Sequence, residues 1–242
     1  MLKVHSLETF GTHEGPGIRL VIFTQGCHLR CLYCHNPDTQ SFNSGTRRSV
    51  ADFLELVEKQ KAYFGSVGGV TVSGGEPTLH AKEVLKLFRA LHKKNIHTAL
   101  DTNGALLSDG VKRLYAETDL LLLDIKHIDE GKHRRLTGMS NLNTLAMAAY
   151  RESTGKPMWL RYVLVPGYSD DESDLVLLGE HFQKYQHIDR MEILPYHTLG
   201  AYKYAKLGRK NPLKGKRAPS RKSIDRAVAV FERYFRKVVV RC

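Results

Sequence analysis

The stretch RLVIFTQGCHLRCLYCHN, residues 19–36, decides the fold and points to the chemistry. It begins with a mostly apolar, often β-branched run, so Arg19–Thr24 is predicted as a strand buried on both faces, as parallel sheets require. Three cysteines follow this strand directly, with the spacing C-x3-C-x2-C. A strand that leads into a loop of ligands is typical of α/β folds, whose active sites lie at the carboxyl ends of their strands.

Similar apolar runs recur along the chain, and amphipathic helical patterns lie between them. The further predicted strands are Gly69–Ser73, Ile96–Leu100, Leu120–Ile125, Met158–Val165 and Met191–Leu194, with a last one at Val238–Arg241. Two apolar stripes predict helices, one at Val84, Leu85, Leu87, Phe88 and Leu91, the other at Ile224, Val228, Phe231 and Phe235. Ser49 with Asp52, and Ser169 with Glu172, are predicted helix N-termini.

This alternation makes about six β–α units, which right-handed crossovers turn into an open sheet or a barrel. Six units are too few to close an eight-stranded barrel. The sequence therefore predicts an α/β fold, a partial, splayed (β/α)6 barrel. Composition is uniform and no linker is visible, so residues 1–242 are predicted to form a single domain.

Bulk composition narrows the class of protein. Hydrophobic residues make up 42% of the chain, enough for a sizeable core. No apolar run approaches the roughly 20 residues of a membrane span, and the first residues lack the features of a signal peptide. A cytoplasmic monomer without a membrane partner is expected.

Three of the four cysteines are clustered, which indicates metal or redox chemistry rather than disulfides. Cys242 stands apart and is expected to be incidental.

The cysteine spacing allows two kinds of metal site. Three thiolates in one loop can hold three corners of a cubane cluster and leave the fourth iron without a protein ligand, free to bind a substrate. The alternative is a structural Cys3His zinc site, with His28 or His35 as the fourth ligand.

Further motifs are expected along the same edge of the sheet, at the carboxyl ends of the strands. Ser73-Gly74-Gly75-Glu76-Pro77 follows the second predicted strand, and paired glycines there let the backbone approach a ligand closely; an ordinary turn is the alternative. The others are Gly15-Pro16-Gly17-Ile18-Arg19, Leu100-Asp101-Thr102-Asn103-Gly104, Leu123-Asp124-Ile125-Lys126, Trp159-Leu160-Arg161-Tyr162 and Leu194-Pro195-Tyr196-His197.

Together these motifs resemble the radical S-adenosylmethionine (SAM) superfamily, whose signature loop is C-x3-C-x-φ-C with an aromatic residue at φ, here Tyr33. Within it they are most similar to the glycyl-radical-enzyme activases, in particular the group that acts on pyruvate formate-lyase. The resemblance implies an oxidoreductase that uses a [4Fe–4S] cluster to cleave SAM reductively. The 5′-deoxyadenosyl radical would then generate a glycyl radical on the lyase. An activase of another glycyl radical enzyme, or another small radical SAM enzyme, is the nearer alternative.

The resemblance also implies roles for individual residues. Cys27, Cys31 and Cys34 would hold the cluster. A monovalent cation (Na+ or K+) would lie beside the SAM carboxylate, since oxygen donors suit a hard cation; its implied ligands are Asp101, Thr102, the Leu122 carbonyl and Asp124. Contacts with SAM are implied for Tyr33, Cys34, His35, Gly74, Gly75, Glu76, Asp124, Ile125, Lys126, Arg161 and His197, with Lys126 and His197 also expected in catalysis.

Each of these residues also has an ordinary structural explanation. Asp101 and Thr102 could form a turn, Lys126 and His197 could be solvated, and Arg161 could balance a nearby acid. Other histidines, His5, His80 and His133, are expected at the surface. Glu14 departs from the family, which usually has Asp there, and this leaves open how the substrate loop is held.

The net charge of +12 is concentrated in one run. Residues 203–222 contain nine Lys or Arg and no Asp or Glu. A solvated loop is the simplest explanation, and docking of an acidic protein is the next. Flavodoxin or ferredoxin, as electron donor, or the lyase itself would be that partner. No nucleic-acid partner is expected, because no helix–turn–helix or zinc-finger pattern accompanies the run; a zinc-stabilised nucleic-acid-binding module is the distant alternative.

Overall fold

The computed structural model describes residues 1–241, and Cys242 lies outside the described residues. Within that range nine strands form one sheet, in the order β3-β1-β2-β4-β5-β6-β7-β8-β9. The strands are β1 (Leu2–Gly11), β2 (Arg19–Thr24), β3 (Thr46–Arg48), β4 (Gly69–Gly74), β5 (His97–Thr102), β6 (Leu120–Asp124), β7 (Met158–Leu164), β8 (Ile188–Pro195) and β9 (Val238–Val240).

Helices connect the successive parallel strands. They are α1 (Val50–Gln60), α2 (Ala81–His92), α3 (Asp109–Glu117), α4 (Glu130–Thr137), α5 (Leu142–Ser153), α6 (Glu172–Phe182), α7 (Ala201–Lys206) and α8 (Arg221–Phe231). Short 3-10 helices lie at Pro37–Gln40, Lys61–Tyr63 and Pro77–His80. None of the helices in residues 1–241 is both long enough and apolar enough to cross a membrane.

The six predicted strands are β2 and β4 to β8, and neighbouring members of this set pair in parallel. Strands β3 and β9 lie at opposite ends of the sheet order, so the sheet stays open. The predicted α/β fold, a partial, splayed (β/α)6 barrel, is confirmed, and so is the last predicted strand, β9.

Two strands at the start of the chain were not predicted. Strand β1 pairs antiparallel with both β2 and β3. Register shifts interrupt its pairing with β2 between Val4 and Ser6 and between Glu8 and Gly11. Because each irregularity disturbs the alternation of side chains, β1 has no clean period of two for a sequence pattern to detect.

Alternate residues of the parallel strands face two different environments. One set, including Leu20, Val72 and Leu121, joins the main apolar core with helix residues such as Phe88 and Leu91. The opposite set forms the inner face of the barrel, and its members become polar toward the carboxyl ends of the strands. In register, Asp124 of β6 lies beside Arg161 of β7, which lies beside Glu192 of β8. The sheet therefore aligns charged side chains on its concave side.

The expectation that all motifs share the carboxyl edge was wrong for Gly15-Pro16-Gly17-Ile18-Arg19. Arg19 is the first residue of β2, and its guanidinium donates to Thr71 Oγ1 at 2.5 Å and to the Val70 carbonyl at 2.9 Å. The carbonyl of Ile18 accepts from the N–H of Gly69, the first residue of β4. The antiparallel β1 delivers this loop to the amino ends of the strands, where Arg19 is a fully buried structural residue.

Two smaller expectations were also wrong. Helix α6 has Asp171 as its N-cap, because Ser169 instead accepts from Val165 N–H and donates to the Val163 carbonyl. His133 is buried, with Nδ1 bonded to the Met139 carbonyl at 2.7 Å. The predicted N-terminus at Ser49 is confirmed as a capping box with Asp52.

Arg151 of α5 joins several elements beneath the sheet. It is fully buried and donates to the carbonyls of Tyr115, Thr118, Asp119 and Pro157. Burial lowers its pKa to about 10. Because carbonyl groups rather than an acid satisfy this guanidinium, its removal leaves several buried acceptors unpaired.

We expect Arg151→Met to lower the free energy of unfolding by about 3 kcal/mol or more, since each orphaned buried acceptor costs about 1–3 kcal/mol. Arg134→Met is the matched control, because Arg134 is exposed and pairs with Glu130 on the helix surface; a change of about 0.5 kcal/mol or less is expected. Anaerobic urea denaturation measures both. Equal losses in the two variants would contradict this account of Arg151.

Candidate active site

A cleft of about 270 Å³ opens at the carboxyl ends of the parallel strands. Most of the residues predicted for the site line it: Cys27, Cys31, Tyr33, Cys34, His35, Gly74, Gly75, Asp101, Thr102, Asp124, Lys126 and Arg161. The other four predicted residues do not line it: Glu76, Leu122 and Ile125 are fully or almost fully buried, and His197 is exposed. A larger groove, about 900 Å³, lies beside Leu32 without any of the cysteines in its lining. The 270 Å³ cleft is therefore the candidate active site.

The cysteine loop (residues 26–40) is fixed by backbone hydrogen bonds at several points. Gly26 N–H donates to the Thr39 carbonyl at 2.7 Å, which closes the loop on itself. Arg30 and Leu32 donate to carbonyls at the end of α4 at 2.8 and 2.9 Å. The three thiols are thus carried by a preorganised backbone.

Burial dominates the electrostatics of the thiols. It raises the pKa of Cys27 and of Cys31 to about 12, and it also raises the pKa of Cys34. Iron and zinc both bind the thiolate, so a metal must displace these protons when it binds. Within residues 1–241 no three His, Cys, Asp or Glu side chains are grouped around a single ion position. Three thiolates from one loop can instead each take a different iron of a cubane cluster.

The two histidines of the zinc alternative have other surroundings. His35 stacks on His197 with ring centroids 3.9 Å apart, and its Nε2 donates to the His197 carbonyl at 3.1 Å. Burial, followed by the charge of His197, lowers the pKa of His35 to about 4. Both ring nitrogens of His28 are buried without a hydrogen-bond partner among residues 1–241. The structure thus brings His35 and His197 together at the mouth of the cysteine loop.

The glycine motif packs directly on the cysteine loop. A Cβ on Gly75 would lie 2.1 Å from the carbonyl oxygen of Gly26, and one on Gly74 would lie 2.2 Å from the nitrogen of Thr24. Gly74 also has a φ of +110°, which disfavours any other residue. The Glu76 N–H donates to the Gly26 carbonyl at 2.8 Å. Close backbone approach therefore explains both glycines, with one edge of the motif left facing the cleft.

Glu76 has a different place from the one predicted. Its carboxylate accepts from Thr78 N–H, Thr78 Oγ1, Thr102 Oγ1 and Asn103 N–H at 2.5–2.9 Å. All of these donors belong to the protein, so the side chain ties the end of β4 to the end of β5 behind the cleft wall.

Lys126 and Asp124 form an ion pair at the end of β6. Their Nζ and Oδ2 atoms are 2.7 Å apart, and the Lys126 ammonium lies over the ring of Tyr33 at 5.6 Å. Burial works against the charge of Lys126, but the negative groups around it, Asp124 first and then Tyr33 and Cys31, together outweigh burial and hold the pKa of the lysine well above its usual value. The N–H of Ile125 donates to the Arg161 carbonyl at 2.9 Å while its side chain is buried in the main core. Lys126 is thus a fixed cation in the cleft rather than a solvated one.

Arg161 lies between two acids on the inner face. It contacts Asp101 Oδ2 at 3.0 Å and Glu192 Oε2 at 3.5 Å. Burial opposes its charge, but Asp101, Asp124 and Glu192 outweigh burial and raise its pKa. Asp101 Oδ2 also accepts from Ser73, whereas its Oδ1 is buried without a partner among residues 1–241.

The sequence did not predict a role in the site for two residues of the cleft, Asn103 and Glu14. Asn103 lines the cleft, and its Nδ2 donates to Cys27 Sγ at 4.0 Å, while its Oδ1 accepts from Ala105 N–H at 3.0 Å. The motif Asp101-Thr102-Asn103-Gly104 contained the signal, but spacing alone could not place an amide beside a thiol. Glu14 also lines the cleft, and burial raises the pKa of its carboxyl.

The residues of the cleft fit an iron–sulfur cluster with a polar ligand beside it. Thiols from one loop are the ligands that such clusters take. Tyr33 and Asp101 line the cleft, and Tyr33 Oη and Asp101 Oδ1 are buried without a hydrogen-bond partner within residues 1–241. Because buried polar groups in native proteins are hydrogen-bonded, a ligand with charged or polar groups would supply what they lack.

The open α/β barrel with three cysteines in one loop at its carboxyl edge is the arrangement that the sequence predicted for a radical SAM enzyme. Comparison with known proteins supports the same class. The model of the radical SAM superfamily matches residues 21–178, and the chain belongs to this superfamily. Its cofactors are therefore a [4Fe–4S] cluster and SAM. The chain is also 46% identical to the pyruvate formate-lyase-activating enzyme of Staphylococcus aureus (strain USA300), over 97% of this chain and 96% of that protein.

Solved structures show the same fold. SuiB from Streptococcus suis, bound to its precursor peptide SuiA, matches with a TM-score of 0.72 and 18% identity, over 93% of this chain and 49% of that one. A domain of pyruvate-formate lyase-activating enzyme from Bacteroides vulgatus matches with a TM-score of 0.61 and 24% identity, over 72% of this chain and 99% of that one. The family, fold and cofactors predicted from the sequence are confirmed.

We expect Asn103→Ala to shift the midpoint potential of the cluster to more negative values. A hydrogen bond to a ligand sulfur favours the more negative reduced state, and such bonds help to set cluster potentials. At a fixed solution potential, the ratio of reduced to oxidised cluster should be several-fold lower in the variant than in wild type. A tenfold decrease in this ratio corresponds to a shift of about 59 mV for a one-electron couple. Asn143→Ala is the control, since Asn143 bonds to Ala105 from the protein surface. An EPR-monitored redox titration that gives equal potentials for wild type and Asn103→Ala would contradict this role.

Proposed function

We propose that this protein generates a glycyl radical on pyruvate formate-lyase. The observation that carries the proposal is the convergence, in one cleft, of the three cysteines with the glycine motif, Asp124 and Lys126. The near full-length similarity to activating enzymes of that lyase supports this choice of substrate over another glycyl radical enzyme. The proposal includes a single radical SAM domain over residues 1–242 that works as a monomer, and the single domain is supported by the one sheet that carries all these residues. The free thiols support a reducing cytoplasmic location.

In this proposal Cys27, Cys31 and Cys34 hold the cluster and leave one iron for SAM. When bound, the cluster, reduced by one electron from the donor, would supply that electron to cleave SAM, which would give methionine and, with one hydrogen atom taken from the target glycine, 5′-deoxyadenosine. The protein supplies position and exclusion of water.

The side chains of the cleft bind and orient SAM. The fixed ammonium of Lys126, paired with Asp124, presents a positive charge toward anionic groups of the ligand. Gly75 contributes a backbone edge, and the stacked rings of His35 and His197 offer a flat surface for the adenine beside Tyr33. Ile125 acts through its backbone, since its side chain is in the core.

A monovalent cation is proposed beside Asp101 and Asp124, together with Thr102 and the Leu122 carbonyl. Support comes from the buried Asp101 Oδ1, which has no partner among residues 1–241. The Thr102 hydroxyl donates to Glu76 and accepts from Gly104 N–H at 3.1 Å, so one of its lone pairs remains for a cation. Glu14, at the cleft wall, is proposed to accept hydrogen bonds from the backbone of the substrate loop.

Anaerobic EPR on reconstituted protein mixed with SAM, dithionite and pyruvate formate-lyase tests the activity. A SAM-dependent glycyl doublet on the lyase is expected. Cys27→Ala, Cys31→Ala and Cys34→Ala should each abolish it, because each removes a cluster ligand. Cys242→Ser, the matched control, should keep it.

Two different negative results would contradict different parts of the proposal. SAM cleavage without a glycyl signal would rule out this lyase as the partner, and a different glycyl radical enzyme in the same assay would identify the correct one. Zinc in place of iron and acid-labile sulfide would overturn the cluster and favour the zinc alternative.

Electron delivery is proposed to use the basic run, with flavodoxin or ferredoxin as donor. Leu213 packs in a small apolar cluster with Tyr33, Leu136 and the partly buried Cys31, so the run lies beside the cysteine loop. Four of its exposed cations have neither an ion pair nor a ring contact within residues 1–241: Lys210, Lys214, Arg217 and Lys222. Positive charge at this position would attract an acidic donor to the cluster.

We expect a variant in which Lys210, Lys214, Arg217 and Lys222 are all replaced by Gln to show weaker flavodoxin-driven activation than wild type. The difference should be greatest at low salt, where exposed charges are least screened. Dithionite-driven activation should be unchanged, since a small reductant needs no docking. Initial rates of glycyl radical formation with each reductant provide the comparison. Equal loss with both reductants would rule out donor docking at this run.

A further inference from the structure

We infer that residues 197–209, here called the clamp segment, hold the second half of the cysteine loop, residues 34–40, in its cluster-binding position. The inference rests on the proposed ligation of the cluster by Cys27, Cys31 and Cys34. It gives part of the basic run a role inside the chain, where the sequence suggested a solvated loop or a docking surface.

Helix α7 packs directly on the backbone next to the third cysteine. The hydroxyl of Tyr204, a buried residue, donates to the Cys34 carbonyl at 3.2 Å. A Cβ on Gly200 would lie 2.7 Å from the His35 carbonyl oxygen, so only a glycine lets the segment approach this closely. The contact is therefore specific in shape as well as in hydrogen bonding.

Two cations of the clamp segment extend the contact along the loop. Lys203 Nζ donates to Asn36 Oδ1 at 2.7 Å and forms an ion pair with Asp38 at 3.2 Å. Arg209 Nη1 donates to Gln40 Oε1 at 2.9 Å. Gln40 is buried and Lys203 is only partly exposed, so these bonds are better shielded from solvent than ordinary surface pairs.

The two halves of the cysteine loop are held in different ways. The first half is tied to other elements through its backbone, by Arg30 and Leu32 to α4 and by Gly26 to the glycine motif. In the second half, Cys34 N–H bonds within the loop to the Cys31 carbonyl, and Thr39 N–H bonds to the Asn36 carbonyl. The far end of this half is also tied at Asp38, whose carbonyl accepts from Gln25 Nε2 at 3.0 Å and whose carboxylate contacts His5 Nε2 at 3.1 Å. The clamp segment supplies the ties at Cys34, His35 and Asn36. Loosening them should free Cys34 and His35 while leaving Cys27 and Cys31 in place.

The test is the rate of iron release to a ferrous chelator from anaerobically reconstituted protein. Lys203→Met and Arg209→Met should release iron about threefold to tenfold faster than wild type, because each removes a shielded, charge-assisted bond. Tyr204→Phe keeps the ring and removes only the hydroxyl, so a smaller increase is expected. Lys206→Met is the matched control, since Lys206 lies on the same helix, is exposed and contacts the ring of Tyr202.

Hydrogen exchange of the cluster-free chain provides a second readout that does not depend on ligation. Amides of residues 34–40 should exchange faster in Lys203→Met and Arg209→Met, whereas amides of residues 27–32 and the melting temperature should stay close to wild type.

The outcomes separate the clamp from the proposed function. Wild-type rates of iron release and exchange in both variants would overturn the clamp, as would equally fast release from Lys206→Met. If no cluster forms even in wild type, the proposed ligation fails, while the exchange experiment still decides whether the segment holds the loop.

Discussion

The site depends on one buried carboxylate. Glu76 accepts two hydrogen bonds from Thr78, in the 3-10 helix after β4, and two from Thr102 and Asn103 at the end of β5, and its own N–H holds the start of the cysteine loop through Gly26. A charge without exposure to water is tolerated only when its acceptor sites are satisfied, and here backbone and hydroxyl donors satisfy them. The same residue thus fixes Asn103 beside Cys27 and sets the cysteine loop against the glycine motif. The cysteine loop and the glycine motif are therefore positioned as one unit.

The register of the parallel sheet provides the second constraint. Because neighbouring strands place Asp124, Arg161 and Glu192 side by side, an alternating row of charge crosses the inner face. Arg161 is shared between Asp101 and Glu192, so neither acid is an isolated buried charge. Breaking such a row by removing one member costs far more than its net contribution to stability. The row also holds Asp101 and Asp124 at the cleft, where a cation or the ligand can meet their remaining oxygens.

The sequence was sufficient for the class of fold and for most of the cleft. Buried parallel strands have continuous apolar runs, and motifs that follow such runs must meet at one edge of the sheet, which is why Cys27, Gly75, Asp124 and Arg161 were placed together. Strand β1 was missed because irregular pairing disturbs its alternation. The position of Arg19 was wrong because a motif's side of the sheet depends on the direction of the strand before it. The role of Glu76 depends on hydrogen bonds between distant residues, which no local pattern contains.

The basic run, residues 203–222, shows that a cluster of charged residues in a sequence does not reveal which of them make contacts within the protein. Lys203 and Lys206 lie three residues apart on α7, yet one meets Asn36 and Asp38 of the cysteine loop and the other is exposed beside a tyrosine ring. The difference comes from which face of the helix packs on the loop, and this is fixed by Tyr204 and Gly200 rather than by the lysines. Farther along the run, Leu213 packs in the apolar cluster that contains Tyr33. One run of basic residues can thus hold the cysteine loop through Lys203 and Arg209 and leave Lys210, Lys214, Arg217 and Lys222 exposed, because the two sets of cations are different residues.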